Sequence, residues 1–246
     1  MLRRWLAAPH SGLQEIAGLT ALYGVYEVVR GLGGEDLASA LDHTEDIVAL
    51  EQRLGVFVER GIQDAVGSVA GVPALLGALY VLLHFVGTAV AIVWVHRRHR
   101  AAYPVVRTTL IAATALGLVG YVLYPAAPPR LAGLGFVDTV TTSTGLNLSS
   151  DLLGSLYNPL AAVPSLHFGY SVIVGATLFR LARSRVVRVA GLLYPALMLF
   201  VIVATGNHFF FDAAAGAVTV LAAWVPARTL ATPHASRAPR AAAHAA

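Results

Sequence analysis

The chain has no cysteine and, among its 17 basic residues, no lysine. Without thiols there is no disulfide framework, no thiolate metal site and no cysteine nucleophile. The all-arginine basic set goes with a chain rich in alanine and glycine and is compositional. Charge itself is scarce: 12% of residues are Asp, Glu, Lys or Arg, against about 25% in ordinary soluble domains. Apolar residues make up 57% of the 246, and the mean hydropathy is +0.70. A soluble globular domain is excluded, and an integral membrane protein is expected.

Apolar runs at 16–29, 72–95, 106–124, 163–181, 189–205 and 213–227 predict six spans. The expected fold is all-α, a six-helix transmembrane bundle forming a single domain over residues 1–230. The tail at 231–246 is Ala, Pro and Arg without an apolar period and reads as disordered. Glu27 interrupts the first run and no small-residue cleavage site follows, so that run is kept as a span and not as a signal peptide.

With six spans both termini share a side. Sorting the arginines by loop puts 13 on the side of the termini, Arg107 among them, and 4 on the other. By the positive-inside rule the first side is cytoplasmic. Segment 31–71 is then extracytoplasmic. It carries most of the acidic residues, and Leu41, Ile47, Val48, Leu50, Leu54, Val56, Phe57 and Ile62 recur at roughly helical spacing. An amphipathic helix lying on the outer membrane surface, or capping the bundle, is expected there.

Three short stretches interrupt the apolar pattern with chemistry: "YPAAPPRL" with Arg130, "NPLAAVPSLHFGY" with Ser165 and His167, and "TGNHFFFDAAAG" with His208 and Asp212. All fall at the outer ends of predicted spans. Taken singly, each has a plain structural explanation: a snorkelling arginine, a capping histidine, and a hydrogen bond between His208 and Asp212 at i, i+4. Together on one membrane face they describe a site. A guanidinium grips phosphate in a fork. Pro164 suits a first helical turn, and the backbone N–H groups of Ser165, Leu166 and His167 would then face an anion. A histidine held by an aspartate is an oriented nucleophile, and a second histidine can protonate the leaving alcohol. The reaction this points to is phosphoryl transfer through a phosphohistidine. Competing possibilities are a proton-coupled transporter, a metal enzyme built on His167, His208 and Asp212, and a non-catalytic membrane protein that keeps the fold.

The three stretches resemble the signature segments of the type 2 phosphatidic acid phosphatase superfamily. Pro-Ser-Leu-His, together with His-x3-Asp lacking an upstream Ser-Arg, is closest to the inositol phosphorylceramide synthase-like branch. The resemblance implies a membrane-embedded, metal-independent lipid phosphatase or phosphotransferase, which the arginine count would place at the outer leaflet of the cell membrane with both termini cytoplasmic. It implies His208 as nucleophile, Asp212 as its orienting partner, His167 as general acid, and Arg130 with Ser165 as phosphate ligands. It implies no cofactor and no nucleic-acid partner. The partners expected are a phosphorylated lipid, the membrane, and water or an alcohol as acceptor. Two of the family's usual phosphate cations are replaced here, by Leu123 and Ile202. Arg53 and Arg60 from the outer segment are candidates to substitute for them.

Overall fold

The computed structural model describes residues 36–144 and 159–231, together with parts of 11–24. Most of the first expected span, and the tail beyond residue 231, lie outside the described residues. Regular structure among the described residues is helical throughout. Two helices come first, α1 (Leu37–Leu54) and α2 (Glu59–Gly67). They are followed by α3 (Val72–Arg98), interrupted by a π turn at Leu82–Gly87, and by α4 (Tyr103–Leu123). A 3-10 turn (Pro129–Leu131) and the short α5 (Thr139–Thr144) lead to α6 (Leu166–Leu181), α7 (Arg185–Ala204) and α8 (Phe210–Ala231).

Among the described residues, four helices are long and apolar enough to cross a membrane: α3, α4, α7 and the Phe210–Leu230 stretch of α8. Their outward residues are apolar too, with Phe85, Val90, Val119, Leu193, Val218 and Leu221 each more than half exposed. Water would drive such a girdle to aggregate, whereas lipid chains solvate it. Polar side chains inside the bundle close on their own helices: the hydroxyls of Thr109, Thr177 and Thr219 donate to the carbonyls of Val105, Ile173 and Ala215 at 2.7–2.8 Å. Such back-bonding lets a hydroxyl sit in an apolar interior without an orphaned donor.

α6 is shorter than the apolar run at 163–181 that predicted it. Its 16 residues extend about 24 Å at ~1.5 Å per residue, short of the ~30 Å hydrocarbon layer. It need not reach further, because it packs against α3, α4, α7 and α8 and occupies the middle of the bundle. Its first turn therefore starts inside the protein. Arg107 also departs from expectation. Instead of lying in a cytoplasmic loop it is buried within α4, its guanidinium paired with the buried Glu15. An ion pair satisfies a charge that lipid could not, so Arg107 carries no topological signal and the count becomes 12 against 4.

α1 and α2 are not anchored by the expected apolar set alone. Leu50, Leu54 and Val56 are 39%, 66% and 42% exposed, while the inner face of α1 is made of Ala40, Thr44, Ile47, Val48 and Glu51. α1 grips the loop after α4 through polar contacts: His43 Nδ1 lies 2.7 Å from the Pro125 carbonyl, and Thr44 Oγ1 donates to Ala127 O at 3.0 Å while accepting its N–H at 2.9 Å. The same loop touches the segment before α6, where Ala126 N–H donates to Leu160 O and Ala162 N–H to Ala126 O, at 3.0 and 3.2 Å. These contacts draw the segments bearing Arg130 and Ser165 together.

Candidate active site

The C-terminal ends of α4 and α7 meet the N-terminal ends of α6 and α8, and between them they carry the three quoted motifs. Ser165 is the N-cap of α6, its Oγ accepting the Phe168 N–H at 3.3 Å. Its own N–H donates to the Asp212 carbonyl at 2.9 Å. The Ser165 amide is thus already satisfied, which removes it from the expected set of free anion-facing amides. Gly216 makes the approach possible: a Cβ there would stand 2.3 Å from the Ser165 carbonyl oxygen. Glycine at that position lets the first turns of α6 and α8 lie backbone against backbone.

At the start of α8, His208 Nδ1 lies 3.1 Å from Asp212 Oδ2, and the same oxygen accepts the Phe209 N–H at 2.9 Å. Asp212 is fully buried and His208 nearly so, at 0% and 5% exposure. With Nδ1 facing the carboxylate, Nε2 is the nitrogen left to act elsewhere. The ring of His167, second residue of α6, is 5.6 Å from that of His208 between centroids. Arg130 reaches the same loop from the other side. Its N–H donates to Gly206 O at 3.0 Å, and its guanidinium donates to Asn207 Oδ1 at 2.7 Å. Asp138 Oδ2 is 3.5 Å from its Nε. Gly206, at φ +70°, turns the chain between α7 and the Asn207–His208 pair. A side chain there would press on Gln63, which clamps Val137 through its amide.

The sequence-predicted residues therefore converge: His208 with Asp212, His167 beside them, Ser165 bonded to the Asp212 backbone, and Arg130 on the residues flanking His208. Leu123 and Ile202 stand apart. Leu123 is 74% exposed, and Ile202 is fully buried in the core. Of the suggested substitutes, Arg60 is bonded to Asp64 and to the Leu134 carbonyl, and Arg53 is exposed. Among the described residues, no group of three or more His, Asp or Glu side chains is arranged to hold a metal ion.

Sequence reasoning passed over several residues. Asn207 adjoins His208 in a quoted motif, so its position was available as a signal. Glu51 and Glu59 had none: they belong to the acidic helices α1 and α2 yet are 2% and 0% exposed, and they accept the Phe211 and Phe210 N–H groups at 2.7 and 3.2 Å. Two carboxyls thus sit at the N-terminus of α8, where the helix dipole favours negative charge. Burial, and next the hydrogen bond with Glu59, push the Glu51 carboxyl up to about 9. The Glu51 carboxyl therefore keeps its proton at neutral pH, as a buried acid beside another acid does.

A family model described as the PAP2 superfamily matches residues 45–225, a stretch that takes in the second half of α1, all of α2 and all three motifs. No curated protein and no solved structure shows significant similarity to the chain.

Proposed function

Since the chain belongs to the PAP2 superfamily, whose members are generally phosphatases or phosphotransferases, we propose that it is a membrane-embedded lipid phosphotransferase or lipid phosphate phosphatase working through a phosphohistidine at the outer leaflet. The observation that carries this is the 3.1 Å contact of His208 Nδ1 with Asp212, with the His167 ring 5.6 Å from that of His208. Nε2 of His208 attacks phosphorus as the bond to the leaving lipid oxygen breaks, and His167 gives that oxygen its proton. Asp212 steadies the positive ring that results. In the second half, water or an alcohol gives a proton to His167 and its oxygen displaces His208 from phosphorus. Arg130 and the Ser165 hydroxyl bind the phosphoryl oxygens.

The Pro-Ser-Leu-His motif favours the inositol phosphorylceramide synthase-like branch, and with it an alcohol acceptor. Six spans with cytoplasmic termini, α1 and α2 on the outer face, and a single membrane domain over 1–230 complete the proposal. Rapid quenching of purified enzyme with a panel of radiolabelled lipid phosphates, with and without candidate alcohols, tests it. Label on His208 that moves to an alcohol supports a transferase, and label that moves only to water supports a phosphatase. Turnover with no label ever on His208 rejects the phosphohistidine.

A further inference from the structure

His167 is not an isolated side chain. Its ring stacks on Tyr80 of α3, with centroids 4.3 Å apart and planes at 21°, and its centroid lies 4.0 Å from that of His84, one turn further along α3. His84 in turn stacks on Tyr170 of α6 at 5.2 Å and 9°. The four rings alternate between the two helices, Tyr80, His167, His84, Tyr170, like interleaved teeth. Tyr170 is fixed at the far end by a hydrogen bond with Thr114 of α4. His84 Nδ1 is buried with no hydrogen-bond partner among the described residues, and the ring packs through its aromatic surface.

The backbone of α3 is altered where it carries this ring. His84 lies in the π turn Leu82–Gly87. The hydroxyl of Tyr194, from α7, donates to the Leu83 carbonyl at 2.6 Å, and a Cβ on Gly87 would stand 2.5 Å from that hydroxyl. In an α-helix the Leu83 carbonyl would take the Gly87 N–H. Here a side chain enters the ladder at that bond, and a π turn is the local response. The turn shifts the residues after Leu82 around the helix axis relative to Tyr80, which sets His84 and Tyr80 on either side of one imidazole.

We propose that Tyr80 and His84 are positioning residues for His167, a ring clamp set by the Tyr194-induced π turn that holds the imidazole where it can hand its proton to the leaving oxygen. The inference rests on the proposed role of His167. Without the clamp the ring is free to rotate, and proton delivery falters while His208 and Asp212 stay in place. Loss of orientation is felt where the departing group is basic and needs the proton, and is little felt where it leaves readily as an anion.

The test compares an alkyl lipid phosphate with a nitrophenyl phosphate in His84→Ala, His84→Phe and Tyr194→Phe enzymes. In His84→Ala, alkyl turnover should fall by about tenfold or more, as expected for losing an aromatic contact and the orientation it maintains, while the aryl substrate keeps most of its rate. His84→Phe preserves a stacking ring and should restore much of the alkyl rate. Tyr194→Phe, which removes only the hydroxyl in the ladder, should show the His84→Ala pattern in weaker form. Trapped phosphohistidine from the aryl substrate in each variant reports that the protein is folded. Equal losses on both substrates, a His84→Phe enzyme as poor on the alkyl substrate as His84→Ala, or a Tyr194→Phe enzyme with wild-type leaving-group dependence would each overturn the clamp. Failure of the underlying mechanism looks different, since the wild-type enzyme itself would then give no phosphohistidine.

Discussion

Replacing Asp212 with asparagine changes almost nothing in shape and one thing in charge. Asp212 Oδ2 receives two donors, the His208 ring at 3.1 Å and the Phe209 N–H at 2.9 Å, while Oδ1 is buried with no donor among the described residues. An asparagine that keeps its oxygen at the Oδ2 position preserves both bonds and leaves its NH2 in the unpartnered place. The flipped amide loses both bonds, so the first orientation is favoured and the fold should survive. What disappears is the negative charge beside the imidazolium that forms when His208 is phosphorylated. A hydrogen bond to a charged group contributes about 1.5–3 kcal/mol, and about 1.4 kcal/mol is a factor of ten in rate. Phosphoenzyme formation should therefore slow by roughly ten- to a hundredfold, with lipid binding unchanged. Rapid-quench measurement of label on His208, beside equilibrium binding of a lipid phosphate, checks both halves. A folded Asp212→Asn enzyme that phosphorylates at the wild-type rate would refute the role given to the carboxylate.

Other perturbations address separate parts of the structure. His208→Ala should abolish turnover and phosphoenzyme while leaving the melting profile near wild type; substantial residual turnover would count against the nucleophile. Gly216→Ala forces a methyl to within 2.3 Å of the Ser165 carbonyl; overpacking of this kind destabilises by about 1–3 kcal/mol, so a clear drop in melting temperature is expected, and an unchanged one would contradict the close pass of α6 and α8. The glutamate pair predicts a pH dependence. Glu51 holds its proton up to about 9 in the folded chain against an ordinary value of 4.5, so the folded state binds a proton that the unfolded state releases between those values. The stability this group adds is greatest below the lower value and declines as pH rises towards the higher one. Wild type should thus lose more stability between pH 6 and pH 9 than Glu51→Gln, which is neutral throughout. Thermal melts of both proteins at the two pH values read the difference, and identical slopes would refute the raised Glu51 carboxyl.

Much of this protein is written in local chemistry. Apolar runs longer than about 17 residues with few charges have little choice but to form membrane helices, so α3, α4, α7 and α8 lie where the hydropathy pattern puts them. The motif residues were legible for a similar reason: Arg130, His167, His208 and Asp212 stand out because ionisable groups beside a hydrocarbon-length run are costly unless they have work or partners. Spacing told even more for His208 and Asp212, whose i, i+4 interval makes them neighbours in one turn.

Tertiary structure decided what depends on contacts between distant segments. Glu51 and Glu59 look like solvent-facing acids until α1 and α2 dock on the first turn of α8, because a carboxylate's environment is set by the donors around it and not by its neighbours in sequence. Ser165 looked like an anion-facing amide until the Asp212 carbonyl claimed its N–H. Arg107 looked like a loop charge until Glu15 was seen beside it. No periodicity could have announced the π turn in α3, where a hydroxyl from α7 meets the Leu83 carbonyl. Sequence alone determines that the chain enters a membrane and which residues are chemically unusual, because solvation acts on each residue where it stands. Which of those residues meet, and which are already occupied, is settled only when helices pack, because a hydrogen bond needs both partners within about 3 Å.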